Sequence, residues 1–108
     1  AHGYTAIGLH KDNTIAMYDL HGRKPSAWKD INCAETIKAL PELLEVKGKK
    51  YWIVRTSLQT LIFGFNGGEP LTKGEGDKMI RPDSKLEVNG GGVSAVCYDG
   101  KTRNIKLN

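Results

Sequence analysis

Cysteine is scarce in this 108-residue chain: Cys33 and Cys97 stand 64 residues apart. That spacing makes no metal-binding motif. Cys97 follows an apolar run and reads as a small buried filler, while Cys33 falls in a loop. A bond between them would imply an oxidising compartment. Long apolar runs are missing as well, which excludes a membrane-spanning helix. Helix signals are few. Residues 32–40 and the Gly-rich, charged stretch 74–81 both read as loops between blades; only the first could form helical turns, with Asn32 as cap and Pro41 as stop. The chain opens Ala1-His2-Gly3 without Met and shows no signal peptide, as expected of a processed or trimmed product.

Catalytic patterns are missing too. His2, His10 and His21 are scattered and meet no carboxylate at metal-ligand spacing. Ser57, Ser84 and Ser94 lack a nucleophile elbow and a His–Asp partner set. The Asp12-Asn13 and Asp99-Gly100-Lys101-Thr102 stretches lack the full oxygen series of a calcium loop, and hairpin turns account for both. The run Gly90-Gly91-Gly92 opens no helix, so the logic of a phosphate cradle fails. No carboxylate pair takes acid and base roles from spacing. The chain is therefore expected to be no enzyme, with no cofactor and no metal. Aromatic residues make up 7% of the chain and do not interleave with basic ones, so no nucleic acid is expected.

What is abundant is glycine, with 13 residues, and most of it punctuates short β-type runs. One echo organises them. Leu44-Glu45-Val46-Lys47-Gly48 returns 42 residues later as Leu86-Glu87-Val88-Asn89-Gly90. At the same spacing Tyr51 meets Val93, Thr60 meets Thr102 and Asn66 meets Asn108; at 46 residues Thr14 meets Thr60, Met17 meets Phe63 and Gly22 meets Gly68. The reading is three copies of a small antiparallel sheet: a partial blade at 3–40, a blade at 41–82 and a partial blade at 83–108, within a single β-repeat domain spanning 1–108. Tyr51-Trp52-Ile53-Val54 is apolar at successive positions. A strand with one wet face would alternate, so this one is central and covered on both sides. A weak fourth strand at 69–73 contains Pro70, which suits an edge.

The predicted class is all-β, with about eight to ten short antiparallel strands in two to three blade-like sheets. Four strands per period is propeller arithmetic, but 108 residues cannot close a ring of about four blades or more. Three readings stay open: a β-propeller fragment, a small open β sandwich, or a subunit that completes a ring with its own copies. The first and third leave apolar faces uncovered and imply self-association.

The stretch 17–28 carries a resemblance. It has Tyr18-Asp19, a turn at Gly22, and Trp28. It resembles the degenerate blades of bacterial β-propellers, the quinoprotein-like or WD-like repeats of exported proteins, in which a strand ends in Asp, turns through Gly and is followed by a Trp docked between blades. Trp28 falls later after the glycine than in that pattern. The resemblance implies a propeller scaffold in a larger exported protein and an extracytoplasmic setting, periplasmic, secreted or cell-surface. It implies no quinone chemistry.

The formal charge is +4, with Lys47, Lys49 and Lys50 as the densest basic group. A solvated hairpin accounts for it; an anion site is the functional reading. The expectation is a non-catalytic repeat module supporting protein or glycan interaction through loops. Trp28, Lys47, Lys49, Lys50, Lys73 and Arg81 are the candidate contacts. The alternatives are the scaffold portion of an enzyme whose catalytic residues lie outside this chain, and the ring-completing subunit.

Overall fold

The computed structural model describes residues 4–9, 13–19, 21–33, 35–72 and 75–107. Among them ten strands form three antiparallel sheets in chain order. The first sheet holds β1 (Tyr4–Leu9), β2 (Thr14–Asp19) and β3 (Ile31–Asn32). The central sheet is a four-stranded meander of β4 (Glu42–Val46), β5 (Lys49–Arg55), β6 (Thr60–Gly64) and β7 (Gly67–Pro70). The third holds β8 (Glu87–Asn89), β9 (Gly92–Val96) and β10 (Thr102–Lys106). The protein is all-β, built of several small sheets.

The central sheet is buried on both faces, as the run from Tyr51 to Val54 requires. Trp52, Val54, Leu61 and Phe63 pack with Ile15, Met17 and Ile31 of the first sheet. Tyr51, Ile53, Ile62 and Val46 pack with Val93 and Leu107 of the third. Register explains the division. Trp52 lies opposite Phe63 and Ile53 opposite Ile62, so each cross-strand pair shares one face. Phe63 is 1% exposed and Ile62 fully buried.

The sheets are also joined through the backbone, and the join recurs. Ile37 bridges Thr56, with Lys38 N donating to Arg55 O and Ser57 N to Thr36 O. Ile80 bridges Cys97, with Arg81 N donating to Val96 O and Tyr98 N to Met79 O. In both cases the segment entering a sheet pairs with the residue just beyond that sheet's second long strand.

This pairing corrects the alignment read from the sequence. Thr56 corresponds to Cys97, and therefore Trp52, not Tyr51, corresponds to Val93; both face the preceding sheet. The Leu-Glu-Val echo sits in unlike surroundings. Val46 pairs with Lys49 and is 2% exposed, whereas Val88 pairs with Val93 and is 52% exposed. The hairpin turn falls at Lys47-Gly48 in one sheet and at Gly90-Gly91 in the other; Trp52 lies opposite Leu43 and Val93 opposite Val88, so Val88 occupies the place of Leu43 and not of Val46. A one-residue slip moves every side chain to the other face, and the glycine run leaves the turn free to slip. Met17 likewise faces the sheet after its own, while Phe63 faces the sheet before.

Two local expectations change as well. The loop read at 32–40 is tied to strands at both ends: Asn32 pairs with Thr14 and Ile37 bridges Thr56, while Ile37 N also donates to the Asn13 side-chain oxygen. The one helical element among the described residues is a 3₁₀ turn at Gly76–Lys78, in the stretch read as loop. The fourth strand is Gly67–Pro70, beginning earlier than 69–73, with Pro70 at the sheet edge as expected. Cys33 and Cys97 are free, buried thiols in separate clusters.

The third sheet turns a polar face away from the central sheet. Where the central sheet turns Leu44, Val46, Ile53 and Ile62 toward its neighbour, the third sheet has Glu87, Asn89, Ser94 and Asn104. These last three are linked: Ser94 Oγ donates to Asn104 Oδ1 at 2.7 Å and Asn89 Nδ2 to Ser94 Oγ at 3.3 Å. Val96, two residues from Ser94, is partly exposed on the same face. A Ser94→Ile, Asn104→Ile variant restores the apolar pair; light scattering should show it associating where the unmodified chain does not use this face.

Candidate binding surface

The β4–β5 hairpin turns through Lys47 at φ 51° and Gly48 at φ 80°, the left-handed pair that a two-residue hairpin needs. It fixes Lys47, Lys49 and Lys50 close together at one end of the central sheet. Lys50 Nζ lies 5.8 Å from the centroid of the Phe65 ring. That ring stacks on Trp52 at 6.1 Å and 7°, and Trp52 Nε1 donates to Phe65 O at 3.0 Å. Beside the lysines is a shallow notch of about 420 Å³, floored by Tyr51, Phe65 and Leu71. Among the described residues, the ion pairs are Lys24–Asp30, Arg55–Glu42 and Arg103–Asp99; none involves these three lysines.

The other candidates lie elsewhere. Arg81 sits at the opposite end of the central sheet, exposed, with its backbone bonded to Val96 and its carbonyl accepting the Thr60 hydroxyl at 2.8 Å. Lys73 lies outside the described residues. Trp28 is half-buried against the core between the first and central sheets, and its Nε1 donates to Asp30 Oδ1 at 3.0 Å. Asp30 in turn holds Lys24 at 2.8 Å, and this contact raises the Lys24 pKa. Gly67 passes directly under the indole. A Cβ there would come within 2.1 Å of Lys29 O and 3.0 Å of the Trp28 ring. The indole thus docks between sheets.

The end carrying Arg81 holds a network that sequence reasoning missed. Arg55 Nε donates to Glu42 at 3.0 Å, and its Nη1 donates to Pro82 O at 2.9 Å, Ser84 O at 2.7 Å and the Thr60 hydroxyl at 3.1 Å. Buried Thr56 accepts from Leu58 N and Gln59 N and bonds the Glu35 carboxylate at 2.9 Å. Ser84, singled out above as lacking nucleophile context, accepts Val96 N at 2.9 Å and acts as a strut. The available signal was a charge closing an otherwise apolar strand: Arg55 directly after Tyr51-Trp52-Ile53-Val54.

In the third sheet Asp99 closes the β9–β10 turn. Its carboxylate accepts Lys101 N at 2.9 Å and pairs with the Arg103 guanidinium, and these contacts hold its pKa below the usual carboxylate value. The same pair holds the Arg103 guanidinium in its charged form. Burial pushes the Cys97 thiol up, against the opposing pull of Arg103. Burial, with Glu35 nearby, does the same to Cys33. Both thiols are therefore poor nucleophiles. Among the described residues no three of His, Cys, Asp and Glu gather to hold a metal ion, and no helix is long and apolar enough to cross a membrane.

Compared with protein-family models, with characterised proteins and with solved structures, the chain matches none at a significant level.

Two predictions arise. Trp28→Ala should lower stability by about 3–5 kcal/mol in urea unfolding, because it empties an inter-sheet contact. Gly67→Ala should destabilise as well, since φ is +79° and backbone atoms occupy the space. An unchanged midpoint in both variants would show that the indole docks nothing. For Asp99, a depressed folded pKa gives stability that is present above the unfolded value of about 3.9 and lost as pH falls through the folded one. Asp99→Asn should flatten the acid limb of the stability profile below about pH 4 while leaving the basic limb unchanged.

Proposed function

We propose that the chain is a non-catalytic, propeller-like module that supports protein or glycan interaction, and that the lysine-rimmed notch at the β4–β5 hairpin is its contact surface. The observation that carries this reading is the combination at one site. Three cations without ion partners among the described residues stand on a rigid two-residue turn beside an apolar floor. Unpaired surface lysines retain full Coulomb reach toward an acidic ligand, and the ring and aliphatic carbons of Tyr51, Phe65 and Leu71 supply contact area. The hairpin is fixed by the sheet behind it, so little order has to be imposed on binding.

The propeller-like part of the reading is supported by the recurring bridge, Ile37 to Thr56 and Ile80 to Cys97, and by sheets stacked in chain order. The polar outer face of the third sheet favours an open stack over a ring closed through that face, which weighs against the ring-completing subunit. The resemblance to blades of exported proteins is the support for an extracytoplasmic setting within a larger protein.

The test is a titration with polyglutamate and with polygalacturonate, followed by backbone amide shifts. Binding should centre on residues 47–51 and 64–65 and weaken with salt. A Lys47→Glu, Lys49→Glu, Lys50→Glu variant should keep the fold and lose about tenfold or more in affinity. Equal binding by that variant would reject the site.

A further inference from the structure

We infer that the lysine-rimmed notch takes an acidic polysaccharide, a chain of uronate sugars, in preference to an acidic polypeptide. This rests on the notch being the contact surface proposed above and narrows it to one class of ligand.

Two features of the floor carry the choice. The first is a missing side chain. Gly64 ends β6 and lies opposite Tyr51, so the two share a face with Lys49. A Cβ built on Gly64 would meet nothing within 4 Å, and its φ is not in the left-handed region. Glycine in a strand weakens it and often marks a place where a ligand comes close. No neighbour crowds this one. It leaves a bare stretch of floor beside Phe65 and Leu71, and Leu71 is 44% exposed. A flat ring can settle there. The notch, about 420 Å³, falls within the range of about 300–1,000 Å³ typical of small-ligand sites, enough for a sugar unit.

The second feature is the balance of hydrogen-bonding groups. Lysines donate and do not accept, and apart from the Tyr51 hydroxyl no side chain lining the notch carries an acceptor. The strands beneath are paired on both sides: Tyr51 with Leu44 and Gly64, and Gly64 with Gly67. A polypeptide pressed onto this floor brings N–H groups and finds neither a strand edge nor an acceptor for them. A donor buried unpaired opposes binding. A uronate unit fits the inventory. Its carboxylate and ring oxygen accept from lysine, its hydroxyls stand round the rim of the ring within reach of water, and the C–H groups of one ring face cover Phe65 and Leu71. Charge agrees with this placement. Glu45 stands opposite Lys50 across the hairpin, on the face away from Gly64, whereas Lys49 shares the Gly64 face and supplies the positive charge on that side.

The test titrates the full chain, isotopically labelled, with polygalacturonate, with its neutral methyl ester and with polyglutamate, at equal concentrations of repeating unit. Polygalacturonate should shift the amides of residues 47–51 and 64–65 and bind about tenfold or more tightly than either of the others. Gly64→Leu fills the bare floor without straining the backbone. It should weaken polygalacturonate about tenfold and leave polyglutamate unchanged, because the lysines remain. If Gly64→Leu fails to fold, the comparison of polymers on the unmodified chain decides. Polyglutamate or the methyl ester binding as tightly as polygalacturonate would overturn the inference, and so would undiminished polygalacturonate binding by folded Gly64→Leu. Tighter polyglutamate binding at the same residues would leave the notch as the contact surface and make its ligand a polypeptide. If no polymer shifts those residues, or the Lys47→Glu, Lys49→Glu, Lys50→Glu variant binds equally, the notch reading fails and takes this inference with it.

Discussion

Everything in this molecule depends on one sheet having no wet face. β5 and β6 carry apolar side chains on both sides, and neither side can be left in water. Trp52 and Phe63 need the first sheet; Tyr51, Ile53 and Ile62 need the third. Each buried aliphatic or aromatic side chain contributes about 1.5–3 kcal/mol relative to exposure, so the two interfaces outweigh any polar contact in the fold. The outer sheets are shaped by that demand. The third sheet meets it with Val93 and Leu107 on one side and presents Ser94 and Asn104 to solvent on the other.

Polar chemistry then sets how the sheets are held at one end. Arg55 closes the central strand and spends its donors on four acceptors from three segments, including the carbonyls of Pro82 and Ser84 on the way to the third sheet. Thr56 and Thr60 are buried, and each has its hydroxyl bonded. Unsatisfied, such groups would cost about 1–3 kcal/mol each, so the connecting segments have little freedom to depart from this path. The opposite end is simpler. It carries the lysine hairpin and an apolar notch on the sheet behind it, the surface proposed above for contact.

Much of this was legible from residues. The apolar quartet at 51–54 announced a doubly covered strand, and the glycine-bearing turns marked the hairpins at Lys47-Gly48 and Asp99-Gly100. Pro70 announced an edge. The lysine cluster was visible as charge, though not the notch beside it, because Leu71 comes from beyond β7 and joins Tyr51 and Phe65 only in three dimensions. Arg55 gave a weak signal that went unread: its partners, Glu42, Thr60 and residues 82–84, are brought together by two sheets meeting. Trp28 was singled out by its type. Its burial became clear only with Gly67 beneath it.

The sequence by itself determined the class of structure: short β-type apolar runs, glycine-bearing turns between them, and too few helix signals to compete. It also determined that one sheet must be covered twice. Register was decided by the tertiary structure. The Leu-Glu-Val echo looked like one position used twice, yet Val46 is buried and Val88 is half in water. A glycine-rich turn at 90–92 can close at neighbouring residues with little difference in local energy, so local sequence does not choose between them. Packing does: only one register points Val93 and Ala95 at the central sheet and Ser94 and Asn104 at solvent, and burying the wrong set would cost far more than any turn preference.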